Sequence, residues 1–242
     1  MATGLKTIVV LPAFNAEKTL EKTYYSIPEH LRKDAWLIDD YSKDKTIEIA
    51  RMLGLNVLEH DKNKGYGANQ KTCYSIALNF NADIIVMLHP DYQYLGEDIP
   101  KLITPIENGS KDFMMGSRIK NARYDHMPIW KYLGNRFLTI LEKLALNNYE
   151  LHEFHSGFRA YSRRLLESVN YKSFSNDFSF DSEMIFEAIR LGFRIGEIDT
   201  RTRYFSEASS INFKNASFYY VKTLNLLFNH AILNKRHNNL GR

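Results

Sequence analysis

The residues of this 242-residue chain with the most chemical potential stand where short apolar runs end. Pro12-Ala13-Phe14-Asn15 follows Thr7 to Leu11, and Asp39-Asp40-Tyr41-Ser42 closes the run from Trp36. His89-Pro90-Asp91 follows Ile84 to Leu88, and Gly116-Ser117-Arg118 follows Phe113 to Met115. Lys64-Gly65-Tyr66-Gly67 opens a helical run; glycine lets backbone approach a ligand, and a helix N-terminus attracts anions. Arg118, Arg159 and Arg203 end separate segments, and a guanidinium pairs bidentately with phosphate. Asp181 and Glu183 open another helix, where a carboxylate serves as a base for a hydroxyl nucleophile or favours the helix start electrostatically. Plainer readings stand beside these. Asp91 suits a turn next to Pro90, Asp40 suits a cap ahead of the next helix, and Phe14 suits the core. Glu17 suits a solvated first turn, and the arginines suit surface ion pairs.

These residues need elements to gather them. The strand-like runs are Thr7 to Leu11, Trp36 to Asp39, Asn56 to Glu59, Ile84 to Leu88, Phe113 to Met115 and Arg194 to Ile198. Helical runs fall at Thr19 to Ile27, Lys45 to Leu53, Ala68 to Asn79, Trp130 to Asn147 and Phe180 to Leu191, the last closed by Gly192. His155 to Arg159 reads as a turn leading into a further short strand. Strands alternating with helices predict an α/β domain with a mostly parallel central sheet flanked by helices. In such sheets ligands bind beyond the carboxyl ends of the strands, where the acids and arginines above stand.

The domain is expected over residues 1–205, with a C-terminal amphipathic helical extension over 206–242. Phe218, Tyr219, Val221, Leu224, Leu227, Phe228 and Ile232 supply its apolar side, with Lys222, Lys235 and Arg236 beside them. It suits a lipid interface, packing on the domain, or a homodimer contact. A net charge of +4 without a basic cluster before the C-terminus fits a small anionic ligand or a membrane surface and argues against nucleic acid. Cys73 is the single cysteine, so no intrachain disulfide can form. With no apolar leader at Met1 to Lys6, a cytoplasmic protein is expected. No apolar run reaches the roughly 20 residues that span a bilayer, so any membrane contact is expected to be peripheral.

The order of these segments resembles family 2 glycosyltransferases of the GT-A (Rossmann-like) fold. VVLPAFNAEKTL resembles the family's first strand and loop, IDDYSKDKT its DDGSxDxT element, and NKGYGANQK its NxGxGxA element. HPDYQY occupies the place of the DxD motif. GSR, HSGFR and FDSEMIFEAIRLGFRIGEI resemble later elements of the dolichyl-phosphate mannosyltransferase-like branch. The resemblance covers about Lys6 to Arg203.

It implies transfer of a sugar from a UDP- or GDP-sugar donor, assisted by Mn²⁺ or Mg²⁺ and inverting, to a polyprenyl phosphate. The implied donor residues are Pro12, Ala13, Phe14, Glu17, Asp40, Lys64, Gly65, His89 and Asp91. Arg118, Arg159 and Arg203 would meet the diphosphate or the acceptor, and Asp181 and Glu183 would stand at the reaction centre. The metal falls to Asp91, with His89 replacing the usual first carboxylate. An imidazole there biases the site toward Mn²⁺ or else bonds the ribose or diphosphate. Asp181 stands where that branch often carries an amide, which keeps a sugar hydroxyl of a surface glycan open as acceptor. A binding module for nucleotide-sugars without catalysis is the third reading, with His89 marking a decayed metal site.

Overall fold

A computed structural model describes residues 4–122, 125, 127–147, 150–203 and 222–228. The sheet begins with β1 (Thr7–Ala13), buried along its whole length. Successive side chains point to opposite faces, so Ile8 and Val10 enter one core while Val9, Leu11 and Ala13 enter another. Burial on both faces explains why the strand reads as a continuous apolar run. β2 (Trp36–Asp39), β3 (Asn56–Glu59), β4 (Ile84–Met87), β5 (Phe113–Ser117), β6 (Arg159–Ser162) and β7 (Ile195–Asp199) complete a sheet of order β3-β2-β1-β4-β6-β5-β7.

Strands β3, β2, β1 and β4 are parallel, as are β5 and β7. β6 runs antiparallel to both neighbours, with Arg159 opposite Met87 and Met115. The expected mostly parallel sheet is therefore present, with one reversed strand that the run lengths did not announce. The reversal carries a consequence for the site. The loop before β6 lies at the same sheet edge as the segments that follow β1, β2, β4 and β5.

Helices cover both faces. α1 (Leu20–Ser26), α2 (Glu29–Arg32), α3 (Thr46–Met52) and α5 (Ile99–Glu107) close over the core holding Val9 and Leu11. α4 (Tyr66–Asn79), α7 (Arg163–Ser168) and α8 (Phe180–Arg190) close over the core holding Ile8 and Val10. α6 (Ile129–Leu146) lies between β5 and β6 in the chain and reaches the second core through Leu146.

Residues 222–228 are helical and pack on the domain. Leu227 is buried in the core of α4 and α8, and Lys222 pairs with Asp177. The rest of the expected extension, with Phe218, Tyr219, Val221, Ile232, Lys235 and Arg236, lies outside the described residues. No helix among the described residues is long and apolar enough to cross a membrane.

Candidate active site

The ends of β1 and β2 are tied together. The Asp40 amide donates to Ala13 O at 2.8 Å, and the Asn15 amide donates to Ser42 Oγ at 2.8 Å. Glu17 Oε2 accepts from the Lys45 amide at 3.0 Å, and Asp44 Oδ2 accepts from the Glu17 amide at 3.0 Å. Burial raises the Asp44 carboxyl, but hydrogen bonds from Thr46 and Glu17 outweigh it and hold the group below its ordinary value. Glu17 therefore fastens two loops together. Pro12 and Ala13 are buried strand residues, whereas Phe14 just beyond them is 54% exposed. The core reading of Phe14 fails because β1 ends at Ala13. Exposed Tyr41 stands two residues beyond β2, and its ring carries Lys43 Nζ at 3.2 Å from the centroid. Two exposed aromatic residues thus stand at adjacent strand ends, the Tyr41 ring with Lys43 on one face. Tyr41 was missed in the sequence because nothing marks a tyrosine after two aspartates as exposed.

Asp40 faces inward. It is 3% exposed, and its carboxylate accepts from the Lys64 amide at 2.8 Å, the Gly65 amide at 3.0 Å and His60 Nδ1 at 2.8 Å. The Gly67 amide donates to Asn176 O at 2.8 Å. Amides expected to receive an anion at the α4 N-terminus are thereby taken by the protein. Gly65 has φ +96°, and a Cβ there would lie 2.8 Å from Asn176 O, so these glycines permit close chain crossing. Lys64 lies at the surface beside Asp61, 3.4 Å away.

A buried network links three elements at the centre of the edge. Tyr66 Oη donates to Asp181 Oδ2 at 2.8 Å and lies 3.2 Å from His89 Nε2. Gln70 Nε2 donates to Asp181 Oδ1 at 3.2 Å, and Arg159 Nη1 stands 3.4 Å from the same oxygen. Burial, then the Asp181 charge, pushes the Tyr66 phenol well above its ordinary value, so it stays a donor. Burial also pushes His89 down to about 4 against the opposing pull of Asp181, which makes the ring neutral at physiological pH. Gly157 crosses this ring so closely that a Cβ would lie 2.9 Å from both Cδ2 and Nε2 of His89.

The arginines depart from expectation. Arg159 is wholly buried and donates to Ser156 O at 2.6 Å, Asp181 O at 2.9 Å and Phe154 O at 3.3 Å. It cannot receive an acceptor. It fastens the loop before β6 to the start of α8, because a buried guanidinium needs carbonyls and a carboxylate around it. Arg118 is held by buried Glu153, which accepts from its amide at 2.6 Å and its Nε at 2.7 Å. Burial raises the Glu153 carboxyl, but Arg118 outweighs this and holds it below its ordinary value. Arg203 is exposed, its guanidinium 4.2 Å from the Tyr92 ring centroid. Glu183 accepts from the Ser175 amide at 2.7 Å and Ser175 Oγ at 3.0 Å. The two carboxylates of α8 thus both hold protein donors.

Asp91 follows β4, and its Oδ1 accepts from the Gln93 amide at 3.0 Å. Thr19 Oγ1 donates to Pro90 O at 2.6 Å, which anchors this turn on α1. No cluster of three metal-ligating side chains exists among the described residues. A cation held by one or two side chains takes its further oxygens from a ligand such as a diphosphate. Asp91 and the neutral imidazole of His89 are donors of that kind.

Comparison with known proteins agrees with this architecture. The model of the glycosyl transferase family 2 matches residues 8–169. The chain is 30% identical over 214 residues to the UDP-N-acetylglucosamine--dolichyl-phosphate N-acetylglucosaminyltransferase of Methanococcus voltae, covering 81% of this chain and 85% of that one. It is 24% identical to the polyprenol monophosphomannose synthase of Mycolicibacterium smegmatis, covering 88% and 84%. Among solved structures, glucosyl-3-phosphoglycerate synthase of Mycobacterium tuberculosis superposes with a TM-score of 0.72 at 20% identity, covering 94% of this chain and 80% of that one. The fold is therefore GT-A, and the chain belongs to glycosyl transferase family 2 as a glycosyltransferase.

Proposed function

We propose that the protein transfers a sugar from a UDP- or GDP-sugar to the phosphate of a polyprenyl lipid at a membrane surface. The observation that carries this reading is the exposed apolar row of α6. Ile129, Leu133, Phe137, Ile140 and Leu144 recur at helical spacing on one face and are all exposed, Ile129 to 75% and Phe137 to 62%. Asn135, Thr139 and Glu142 are buried on the opposite side. Asn135 Nδ2 donates to Glu153 Oε1 at 2.9 Å, and Glu142 lies 3.1 Å from His155 Nε2. Leu138 and Leu146 are buried on that inner side as well, so the helix has its own core contacts and the outward row of large apolar groups is additional to them. Such a row suits an apolar medium on the outer side.

The acceptor chemistry agrees. A hydroxyl nucleophile needs a base, and Asp181 and Glu183 are engaged by Tyr66, Gln70, Arg159 and Ser175. A phosphomonoester, with a second pKa of about 6, is an anionic nucleophile at neutral pH without one. Two similar proteins are named for dolichyl phosphate and polyprenol, which supports the same class here. Phe14 offers an exposed ring to the nucleoside, Tyr41 offers the face that Lys43 leaves free, and Arg203 stands at the rim for an anionic group. Asp91 would hold Mn²⁺ or Mg²⁺, with His89 as second donor. When bound, the cation supplies charge neutralisation to the departing diphosphate.

Radiolabelled UDP-N-acetylglucosamine and GDP-mannose offered with dolichyl phosphate in vesicles test the reading. Label in the lipid phase supports it, and label on a soluble glycan alone points instead to a sugar hydroxyl as acceptor. Donor binding without metal-dependent turnover would return the protein to a binding module. Association of α6 with a second copy is the competing use of its apolar face. A dimer in dilute buffer that fails to bind vesicles would favour it.

A further inference from the structure

We infer that Tyr66 is a positioning residue that sets the tautomer of His89, keeping the proton on Nε2 and leaving the Nδ1 lone pair for the divalent cation shared with Asp91. The inference deepens the proposed function and rests on it for the metal, but the tautomer follows from hydrogen bonding alone. Tyr66 Oη has one proton and two polar neighbours, Asp181 Oδ2 at 2.8 Å and His89 Nε2 at 3.2 Å. Asp181 faces the Arg159 guanidinium at 3.4 Å and takes the Gln70 amide at 3.2 Å on Oδ1, while its Oδ2 accepts the Tyr66 hydroxyl. The phenol proton therefore goes to Asp181. The contact with His89 is then a hydrogen bond only if Nε2 carries the hydrogen.

Ring packing fixes the same arrangement. Tyr66 lies nearly parallel to His89, at 9° with centroids 5.4 Å apart, and Phe178 packs on Tyr66 with centroids 4.4 Å apart. Gly157 covers the Cδ2–Nε2 edge of the imidazole, where even a methyl group would collide. Nδ1 lies across the ring from that covered edge. In a neutral imidazole one nitrogen donates and the other accepts or ligates, and the partner of the first decides which is which. The chain Arg159–Asp181–Tyr66 thus reaches the cation site through His89 and raises the ring's quality as a ligand. An imidazole donor suits Mn²⁺ better than Mg²⁺, which prefers oxygen throughout its shell.

The test begins on metal-free protein labelled with ¹⁵N-histidine, using long-range ¹H–¹⁵N correlation. Wild-type protein is expected to show His89 protonated at Nε2, and protonation at Nδ1 overturns the inference without any variant. Tyr66→Phe, checked for an intact fold by its amide spectrum, is expected to give a mixture of tautomers. Its Mn²⁺ affinity, read by water-proton relaxation with MnCl₂ and UDP or GDP, should fall about tenfold, the usual size for a lost partner of a ligating histidine. Mg²⁺ affinity should fall less. An unchanged tautomer together with unchanged Mn²⁺ affinity in Tyr66→Phe overturns the inference. Protein that shows the expected tautomer and Mn²⁺ loss but moves no sugar to lipid phosphate supports this assignment while defeating the acceptor reading.

Discussion

A single side chain changes meaning according to what it touches, and the arginines show this most plainly. In sequence Arg118, Arg159 and Arg203 are alike. In the fold Arg159 has no exposed surface, Arg118 is held by Glu153, and Arg203 stands in the open over Tyr92. Their partners lie 22 and 35 residues away, and nothing local announces them. Arg159→Met should therefore destabilise the protein by about 3–5 kcal/mol, since it strands Asp181 and several carbonyls in the interior. Urea unfolding measures this; a change under 1 kcal/mol contradicts the role assigned to Arg159. Asp91 stands just after the apolar strand β4, as its sequence position indicates. If Asp91 holds the cation as proposed, Asp91→Ala should lower turnover at least about a hundredfold, because that cation would contribute several kcal/mol to the departing diphosphate. Steady-state rates with Mn²⁺ decide it, with nucleotide binding as the control.

Elements were easiest to read where burial is continuous. β1 and β4 announce themselves as apolar runs rich in β-branched residues because both faces are covered. α5 was missed: Pro100 and Pro105 disguise a helix whose Ile99, Leu102, Ile103 and Ile106 form a buried stripe. The direction of β6 was missed as well, since a four-residue strand carries no sign of its orientation, yet that direction brings His155 to Phe158 to the working edge. α6 is legible in the sequence, but its exposed apolar row shows only when burial is known. Replacing Phe137 and Ile140 together with serine should leave stability within about 0.5 kcal/mol for each position, as expected of exposed sites. The same pair should weaken vesicle binding at least about tenfold, because burying one such side chain is worth about 1.5–3 kcal/mol. Flotation with anionic vesicles measures it, and undiminished binding means that α6 does not face lipid.

At the scale of the whole molecule, buried and half-buried carboxylates hold distant segments together and set the response to acid. Glu153 joins Arg118 to α6, Asp112 joins Arg164 and Arg194, and Asp44 joins the loops after β1 and β2. In each, hydrogen bonds and cations outweigh burial and hold the carboxyl below its ordinary value, 4.5 for the glutamate and 3.8 for the aspartates. A depressed folded-state pKa contributes stability in full above the ordinary value and loses it as pH falls through the folded one. Thermal stability should therefore hold as pH drops toward 4.5 and decline below it. The Arg118→Met variant should show a smaller decline, and equal slopes would remove Glu153 from the account.

These scales meet in one transfer reaction, and it can be followed directly. Purified protein, MnCl₂, radiolabelled UDP-N-acetylglucosamine or GDP-mannose, and vesicles carrying dolichyl phosphate are incubated, and the lipid phase is counted. The account predicts metal-dependent label in the lipid from one of the two donors, abolished in Asp91→Ala and reduced in the α6 double variant. Label that stays in water with both donors, while the nucleotide still binds, would contradict a lipid phosphate as the acceptor.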